Sequence, residues 1–476
     1  MSSKRFLVAV VSAPLRLLSV AALASVPLAA VAAPATSTVV AFSGSVPAGN
    51  LVSGTDGALY GTTAASTSVA GGLIYRVAAD GSAVATLYQL RTKDDGQTPQ
   101  AGLLLASDGK FYGTTKFGKS GTLDTTGIVF RLNQDGTGFT VLHRFAAFTT
   151  ANVASAPKNT DGAYPTAELI EGSDGNLYGT TGAGGPEGTG AIFRISKDGT
   201  GFQTLHTFSA ITTTATDALA KNAEGMSLSG PLAKGADGKF YGTASAGGVQ
   251  GRGTLFRINF DGTGFQVIHT FSATTADTTT GLIKNADGAA PVAGLIDGGD
   301  GFLYGVASDA GSKGYGTIFA ISPDGATFTN LHDFDNTGGA RPLAELALFS
   351  DGRLYGTTAA GGTGSGGTAT NFGTLFSIAR DGTGFTNLYS LDGSTAGSSA
   401  ASQLLQLSST VFVGAASSGG SCGSGTIFRY DTTGGTVAGN TKCGRKKNNG
   451  YSGGGATEPA VLLLLGGLAL ARRRRR

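Results

Sequence analysis

The chain has 476 residues, of which 40% are hydrophobic and only 14% are charged, and its formal net charge is +3. Its 79 glycines recur at fixed positions rather than at every third position, which excludes a collagen-like chain. Without the basic residues of its two ends, the body carries a net charge of about −4. A strongly basic nucleic-acid-binding surface is therefore excluded, and no nucleic-acid partner is expected.

Residues 1–33 have the pattern of a secretory signal peptide. Lys4, Arg5 and Arg16 are followed by an apolar stretch at residues 17–33 that ends in small residues, as signal peptidase requires. The alternative is an uncleaved N-terminal membrane anchor, which an internal proline and the many alanines disfavour. We therefore expect export, with signal peptidase as a processing partner.

The body of the chain repeats itself. A tyrosine–glycine step recurs every 51 to 66 residues, within the consensus P-x-A-G-L-I-x-G-x-D-G-x-L-Y-G-T-T, a Gly-rich loop, and G-T-I-F-R-I-x-x-D-G-T-G-F-x-x-L-H-x-F. The glycine of the step defines seven copies, the last of them degenerate: Gly61, Gly113, Gly179, Gly242, Gly305, Gly356 and Gly414. Periods of this length are typical of solenoids and propellers.

Each copy contains four short segments with strand character. In the third copy they are residues 167–172, 176–181, 191–196 and 202–208. Asp-Gly pairs between the first two and between the last two are hairpin signals. Seven such antiparallel meanders predict an all-β fold, a seven-bladed β-propeller. An open solenoid or β-helix, which favours shorter and more uniform repeats, is the alternative.

The chain ends predict how the ring closes. The last copy lacks a convincing fourth strand, whereas TVVAF at residues 38–42 matches the L-H-x-F strand. A strand supplied from the N-terminus would leave no exposed sheet edge. We expect the propeller to span residues 34–432, with the repeats at 51–431, followed by a linker at 433–452.

The meander also sorts the loops onto two faces. Both Asp-Gly turns of a copy lie on one face, whereas the Gly-rich loop and the long connection to the next copy lie on the other, here called the loop face. Length and sequence vary on the loop face, in connections such as residues 146–165 and 209–231. Binding sites form preferentially on variable loops that a rigid scaffold carries, so we expect any ligand there.

The phrases D-G-x-L-Y-G-T-T, G-T-I-F-R-I and D-G-T-G-F-x-x-L-H-x-F resemble the bacterial GloVer (Gloeo-Verruco) tandem repeats of choice-of-anchor proteins. The resemblance covers roughly residues 51–431 and recurs about six times. It implies an exported, surface-attached, propeller-like protein. It implies no chemistry that transfers to a residue of this chain.

A lysine–asparagine–acid motif recurs in the long connections as KNTDG, KNAEG and KNADG. Its side chains are suited to hydrogen-bonding sugar hydroxyls or a polar polymer. The candidate ligand-binding residues are Lys158, Asn159, Asp161, Lys221, Asn222, Glu224, Lys284, Asn285 and Asp287. The alternative is a turn that prepares the next strand. The chain has no Trp, which weakens a stacking platform for carbohydrate.

We predict no catalytic residue, metal ligand or cofactor. The histidines share one slot of the L-H-x-F strand: His143, His206, His269 and His332. A general base is needed at one place rather than around a ring, so a structural role is expected. Each turn aspartate supplies one carboxylate, fewer than the roughly six oxygens that Ca²⁺ takes, and local turn bonding explains it. The Gly-rich loops lack the Lys-Ser/Thr of a phosphate-binding loop.

The expected function is a binding, adhesion or scaffold module whose ligand is a surface polymer or protein. The rival is a propeller enzyme that acts on an extracellular polysaccharide, a lyase or glycosidase. Such an enzyme needs two acidic residues, or an acid and a base, converging at the central channel on the loop face. Carboxylates there that break the repeat would favour the enzyme, whereas repeat-equivalent residues would favour binding or structure.

The two cysteines, Cys422 and Cys443, lie near the end of the repeats. In an oxidising compartment we expect them to form a disulfide, which would close a loop of about 20 residues worth roughly 3 kcal/mol in the chain-entropy model. The spacing alone does not establish this pairing.

Residues 453–476 have the three parts of a C-terminal sorting signal. Gly453, Gly454 and Gly455 precede an apolar segment of 12 residues, shorter than the ~20 that span a bilayer. Five arginines, beginning at Arg472, end the chain and would stay on the cytoplasmic side of a membrane. The pattern resembles GlyGly-CTERM tails, which rhomboid-family sorting proteases (rhombosortases) trim.

Glu458 and Pro459 resemble part of the PEP-CTERM motif that exosortases recognise, and a simple C-terminal membrane helix is the third alternative. In the first two cases the tail holds the chain at the membrane until a sorting protease trims it. We expect the mature protein in the periplasm, the outer membrane or at the cell surface.

Overall fold

The computed structural model describes residues 33–64, 71–91, 94–118, 126–149, 157–212, 219–364, 367–436 and 441. In this part of the chain every helix or strand element is a β-strand, and no helix there is long and apolar enough to cross a membrane. The strands form seven small antiparallel sheets arranged in a ring, and one two-stranded ribbon. The predicted seven-bladed β-propeller is thereby confirmed.

Blades one to six are meanders of four consecutive strands, counted from the central channel outwards. Blade one contains β2 (Pro47–Ser53), β3 (Leu59–Thr63), β4 (Leu73–Val77) and β5 (Val84–Gln89). Blade two contains β6 (Leu104–Leu105), β7 (Phe111–Thr115), β8 (Ile128–Leu132) and β9 (Thr140–Arg144). Blade three contains β10 (Ile170–Glu171), β11 (Leu177–Thr181), β12 (Ala191–Ile195) and β13 (Gln203–Thr207).

The next three blades follow the same order. Blade four contains β14 (Ala233–Lys234), β15 (Phe240–Ala244), β16 (Thr254–Ile258) and β17 (Gln266–Thr270). The ribbon β18 (Thr275–Ala276) and β19 (Ile283–Lys284) lies in the connection that follows. Blade five contains β20 (Ile296–Asp297), β21 (Leu303–Ala307), β22 (Thr317–Ile321) and β23 (Phe328–Asp333). Blade six contains β24 (Ala347–Leu348), β25 (Leu354–Thr358), β26 (Thr374–Ile378) and β27 (Thr386–Ser390).

Blade seven combines both ends of the propeller. It contains β28 (Ser398–Ala400), β29 (Leu405–Gln406), β30 (Val411–Ser418) and β31 (Thr426–Asp431), and β1 (Ala35–Ala41) pairs with β31 as its outermost strand. The predicted closing strand is confirmed, and it begins three residues earlier than the sequence indicated.

The pairing of β1 reproduces that of the repeats in detail. Thr38 and Val40 pair with Phe428 and Ile427, with a one-residue bulge between them. The outer strand of blades one to six has the same bulge. This register places Val40 in the slot that His206 occupies in β13. The N-terminal strand therefore replaces a repeat strand residue for residue.

The hydrophobic core lies between the blades, and the tyrosine–glycine step belongs to it. All five residues of β11 are buried. A Cβ at Gly179 would lie 2.6 Å from Phe193 Cζ and 2.8 Å from Leu169 Cδ2, distances at which carbon atoms clash. The glycine therefore makes room for the phenylalanine of the neighbouring strand, which explains why the step recurs without any chemistry.

The aspartate of each first turn fastens its own blade. Asp174 accepts hydrogen bonds from the backbone N–H of Asn176 at 3.1 Å and from the Tyr178 hydroxyl at 2.8 Å. The same aspartate–tyrosine bond, at 2.7 to 3.0 Å, recurs in five other copies: Asp56–Tyr60, Asp108–Tyr112, Asp237–Tyr241, Asp300–Tyr304 and Asp351–Tyr355. These carboxylates serve the turns, as the sequence predicted.

The histidine slot joins neighbouring blades. His143 of β9 stacks on Phe202 of the next blade, with ring centroids 3.6 Å apart and planes 5° from parallel. The other three stack in the same way at 3.7 to 3.9 Å: His206 on Phe265, His269 on Phe328 and His332 on Phe385. The predicted structural role of the histidines is confirmed.

Candidate functional site at the channel mouth

The lysine–asparagine–acid motifs lie on the loop face, and their asparagines are turned inward. Asn159 is only 4% exposed, and its amide donates to the carbonyl oxygens of Ala146 and Gly162 at 2.7 and 2.6 Å. Its Oδ1 accepts from the backbone N–H groups of Gly162 and Gly185 at 3.0 and 2.6 Å. Two further amides make the corresponding four bonds: Asn222 and Asn285.

The acids of these motifs contact the histidine slot. Asp161 Oδ2 lies 2.9 Å from His143 Nε2, and its Oδ1 accepts from the backbone N–H of Ala146 at 2.9 Å. The other motifs pair in the same way: Glu224 with His206 and Asp287 with His269. Internal hydrogen bonds thus occupy the amides and the acids, and ligand binding through them stays a prediction.

The lysines of the motifs are placed at the surface of the connections. Lys158 and Lys284 form ion pairs with Glu187 and Asp277. The backbone carbonyl of Lys221 accepts a hydrogen bond from the N–H of Thr212 at 2.8 Å.

Replacing Asn159 by Ala is expected to lower the free energy of unfolding by roughly 3 kcal/mol, because buried backbone groups would lose their partners. Lys158→Ala in the same motif is the control. Its ion pair is about 41% exposed on both sides, so the loss should stay below about 1 kcal/mol. Urea unfolding measures both values, and equally small losses would show that the asparagine is not structural.

The inner strands of the blades surround a cavity of about 100 Å³ at the channel. The same stretch of every copy lines it, just before the inner strand, where the consensus reads A-G-L. Only copies two and five have the consensus glycine, whereas copies three and six have Glu168 and Glu345 in its place. The slot also varies in copies one, four and seven, where it holds Asn50, Pro231 and Gln403. Both side chains line the cavity and remain partly accessible from it.

Each of these carboxyls lies against a glycine of the preceding blade. A Cβ at Gly102 would lie 1.8 Å from Glu168 Oε1, and a Cβ at Gly294 would lie 2.0 Å from Glu345 Oε1. The glycines occupy the same slot as the glutamates in copies two and five. Each glutamate therefore fills a space that its neighbouring copy leaves open.

Asn50 of blade one connects the two carboxyls across the channel. Its backbone N–H donates to Glu168 Oε1 at 3.3 Å, and its side-chain amide donates to Glu345 Oε2 at 3.4 Å. Its Oδ1 accepts from the backbone N–H of Gln403 at 2.7 Å. All four residues occupy the same slot of their copies, so one layer of the ring carries the whole network.

Burial raises the pKa of Glu168 to about 7, although hydrogen bonds from Asn50 and Gly102 oppose the rise. Burial also raises the pKa of Glu345 to about 8, and the neighbouring charge of Glu168 adds to the rise. Both carboxyls therefore change their protonation state near neutral pH. Confined like-charged pairs behave in this way whether or not they take part in acid–base chemistry.

Above the cavity, the backbone of the mouth follows a regular pattern. The residue two positions before the cavity wall has φ between 54° and 61° in six copies: Thr98, Tyr164, Ser227, Ala290, Arg341 and Ser399. We call this position the first rim slot. Tyr164 shows how it is held, since its N–H donates to Thr126 O at 2.8 Å and its carbonyl accepts from the N–H of Gly182 at 3.1 Å. Because the left-handed backbone recurs, it belongs to the architecture, whereas the side chain varies.

A second rim slot, in the Gly-rich loop, faces the first. Between blades two and three the two slots hold Phe117 and Tyr164, whose rings meet edge to face with centroids 5.5 Å apart. Phe148 contacts Tyr164 from another side at 5.7 Å. Lys116 Nζ lies 5.4 and 5.9 Å from the centroids of Phe117 and Tyr164, within cation–π range. These four residues form the aromatic cluster.

Between blades five and six the same two slots hold Asp309 and Arg341. Burial raises the pKa of Asp309, and the charges of Arg341 and Arg252 oppose the rise. These three residues form the charged cluster. Three other junctions have small residues at the two slots: Ala183 and Ser227, Ala246 and Ala290, Ala360 and Ser399.

These departures from the repeat lie on nearly opposite sides of the ring. The aromatic cluster belongs to the junction of blades two and three and the charged cluster to that of blades five and six. Junctions three blades apart face each other across a seven-membered ring. The glutamates of the cavity also come from copies three and six, so the mouth has a defined axis.

The sequence predicted a ligand site on the loop face or at the channel, but it predicted none of these residues. The available signal was the glutamate in two A-G-L stretches and the large side chains at two rim slots. Within the described ranges, no group of three or more His, Cys, Asp and Glu is placed to hold a metal ion.

Several sequence predictions fall on other parts of the chain. Cys422 is disulfide-bonded, but Cys443 lies outside the described residues, so their pairing stays a prediction. The signal peptide, apart from its last residue, and the sorting tail with Gly453, Gly454, Gly455, Glu458, Pro459 and Arg472 also lie outside them.

Solved structures with similar folds share little sequence with this chain. The extracellular domain of a one-component system from B. thetaiotaomicron is 10% identical, with a TM-score of 0.48, and the match covers 83% of this chain and 40% of that one. A GH74 enzyme from Niastella koreensis is 15% identical, with a TM-score of 0.48 and coverages of 85% and 56%. Oligogalacturonate lyase from Vibrio parahaemolyticus is 10% identical, with a TM-score of 0.43 and coverages of 84% and 97%. Such values carry no statement about the activity of this chain.

No curated protein matches the sequence. A family model, the Gloeobacter/Verrucomicrobia repeat, matches residues 31–225, 212–369 and 273–456. These matches together cover most of the chain and all seven blades. The protein therefore belongs to the Gloeobacter/Verrucomicrobia repeat family.

Proposed function

We propose that this protein is an exported, envelope-attached β-propeller that binds a surface polymer or protein partner through the mouth of its channel. One observation supports this function above the others. The large and charged side chains that break the repeat at the rim are gathered on the loop face, along the axis between Tyr164 and Arg341. Repeat-equivalent polar groups nearby, such as Asn159 and His143, are occupied by internal contacts.

The size of the cavity favours binding at the rim over catalysis inside the channel. The cavity has a volume of only about 100 Å³. Sites that enclose a small-molecule ligand usually have at least about 300 Å³. A polymer or protein would therefore lie across the mouth, in contact with the two clusters.

A binding screen tests this proposal. The full-length chain and a variant of it would be titrated against envelope polysaccharides and envelope protein fractions. At each changed slot the variant has a residue that other copies carry there. This rim variant combines the substitutions Lys116→Ser, Phe117→Ala, Tyr164→Ser, Asp309→Ala and Arg341→Ala. We expect a ligand that binds the natural chain and is lost by the rim variant. Binding that is equal for both chains would place the site elsewhere and refute the proposal.

Export and envelope attachment belong to the same proposal. They are supported by the leader pattern, the sorting-tail pattern and the disulfide at Cys422, since disulfides persist mainly in oxidising compartments. Fractionation of cells, with mass measurement of the mature chain, is the test. We expect an envelope-associated protein that has lost both ends. A cytoplasmic protein with an intact leader would contradict export.

A polysaccharide-degrading enzyme is the second candidate, and the glutamate pair in the channel favours it. Glu168 and Glu345 are the two acidic residues of a slot that varies between the copies. They lie at the place where an acid and a base would have to meet, and their raised pKa values suit proton transfer. Product analysis after incubation with extracellular polysaccharides tests this candidate. Activity that is lost in Glu168→Gln would establish it, whereas binding without products would exclude it for those polymers.

A further inference from the structure

The amine of Lys116 is placed to meet an anion at the mouth. It lies over two aromatic rings, and within the described ranges no ion pair joins it to an acidic side chain. Burial lowers its pKa. A cation in this position recovers electrostatic stabilisation when an anionic group of a ligand approaches it.

The rings around this amine offer a surface for a sugar. Phe117, Phe148 and Tyr164 are each only partly buried, and the edge-to-face contacts fix their relative orientation. The apolar C–H face of a pyranose can pack on such rings while its hydroxyls stay in water or bond to the Tyr164 hydroxyl. Rigid aromatic side chains bind with little loss of conformational entropy.

The opposite end of the axis has a second cationic group. Arg341 and Arg252 stand against a single acid, Asp309, so the charged cluster retains one excess positive charge. A guanidinium binds carboxylates through paired hydrogen bonds and is less strongly hydrated than an ammonium. Together the clusters present two excess positive charges on a body whose net charge is about −4. Local recognition of a few spaced anions is therefore favoured over attraction of a dense polyanion.

We propose that the mouth binds an acidic saccharide, with a sugar ring on Phe117 and Tyr164 and carboxylates of its uronic acids near Lys116 and Arg341. This inference rests on the proposed binding function and names the chemical class of the ligand. The ligand lies across the mouth, from the aromatic cluster to the charged cluster, above the carboxyls of the cavity.

Calorimetric titration with matched saccharides tests the inference. The probes are hexasaccharides derived from alginate, pectin and hyaluronan, each beside its carboxyl-reduced counterpart of the same length and linkage. We expect the full-length chain to bind at least one acidic probe about tenfold more tightly than its reduced form, with an affinity that falls as salt rises.

Matched variants locate the site. Lys116→Ser combined with Arg341→Ala should weaken binding of that probe at least about tenfold. Ser227→Ala, at the first rim slot between blades three and four, is the control and should leave the affinity unchanged. The double variant has at both slots a residue that other copies carry. Measurement of its unfolding temperature serves to check that it is folded.

Three results would overturn the inference. One is equal affinity for the acidic and the reduced probes, and another is unchanged binding by the double variant. The third is no binding of any of the acidic probes. If the chain instead binds a neutral polymer or a protein and the rim variant loses it, the proposed function stands and only the acidic saccharide is wrong.

Discussion

Replacing Val39 by Asp is expected to destabilise the propeller by roughly 4 kcal/mol, because the change would bury an unpaired charge at the seam that closes the ring. Val39 is completely inaccessible. It belongs to the hydrophobic cluster that joins blade seven to blade one, which also contains Val413 and Ile427 of blade seven and Leu59 and Tyr75 of blade one. The closing strand thus stabilises the contact between blade seven and blade one.

Ser43→Asp is the matched control for this substitution. Ser43 is exposed and lies two residues after the end of the closing strand, so a carboxylate there should change the stability by less than about 0.5 kcal/mol. Urea unfolding and limited proteolysis of both variants measure the difference. If Val39→Asp is as stable as Ser43→Asp, closure by the N-terminal strand does not hold the ring together.

The stability of the natural chain is expected to fall as pH rises from about 5 to about 8. In the double variant Glu168→Gln/Glu345→Gln, the stability should change much less over the same range. The folded pKa values of about 7 and about 8 exceed the ordinary 4.5. Carboxyls whose pKa is raised by folding stabilise the fold fully below about pH 4.5. This stabilisation is lost as pH rises through their pKa values in the folded state. A rise of one unit in a pKa corresponds to about 1.4 kcal/mol. The rise of the Glu168 pKa from 4.5 to about 7 therefore corresponds to a loss of roughly 3 kcal/mol in the free energy of unfolding.

Glutamine is a suitable replacement because Gln403 occupies the same slot in copy seven. The control is Glu187→Gln, which removes the partly exposed carboxyl that pairs with Lys158 on the loop face. Because a partly exposed ion pair contributes little to stability, this change should leave the pH dependence unchanged. Denaturant unfolding at several pH values between 5 and 8.5 gives the three curves. Parallel curves for the natural chain and the double variant would show that the channel carboxyls are not held neutral by burial.

The repeat made the fold predictable in detail. Seven aligned glycines gave the number of blades, and the Asp-Gly turns gave the meander. TVVAF could be placed because it has valine and phenylalanine where L-H-x-F has histidine and phenylalanine. The match extends to the bulge at Val39, which no sequence pattern displays.

The candidate site was less predictable, for physical reasons. The motif around Asn159 offered good hydrogen-bonding groups, but the sequence does not show that the backbone of its own loop takes all of them. Phe117 and Tyr164 are far apart in the chain and meet only because consecutive blades bring their loops together. Glu168 and Glu345 were visible as departures from A-G-L, yet their proximity depends on closing the ring.

A binding site at the mouth is tested most directly by the free energy of unfolding of the rim variant, with Lys116→Ser, Phe117→Ala, Tyr164→Ser, Asp309→Ala and Arg341→Ala. If these side chains serve binding, residues borrowed from other copies should support the same fold. We expect a free energy of unfolding within about 2 kcal/mol of that of the natural chain. A loss of more than about 4 kcal/mol would show that the side chains hold the ring together, and would contradict a functional site at the mouth.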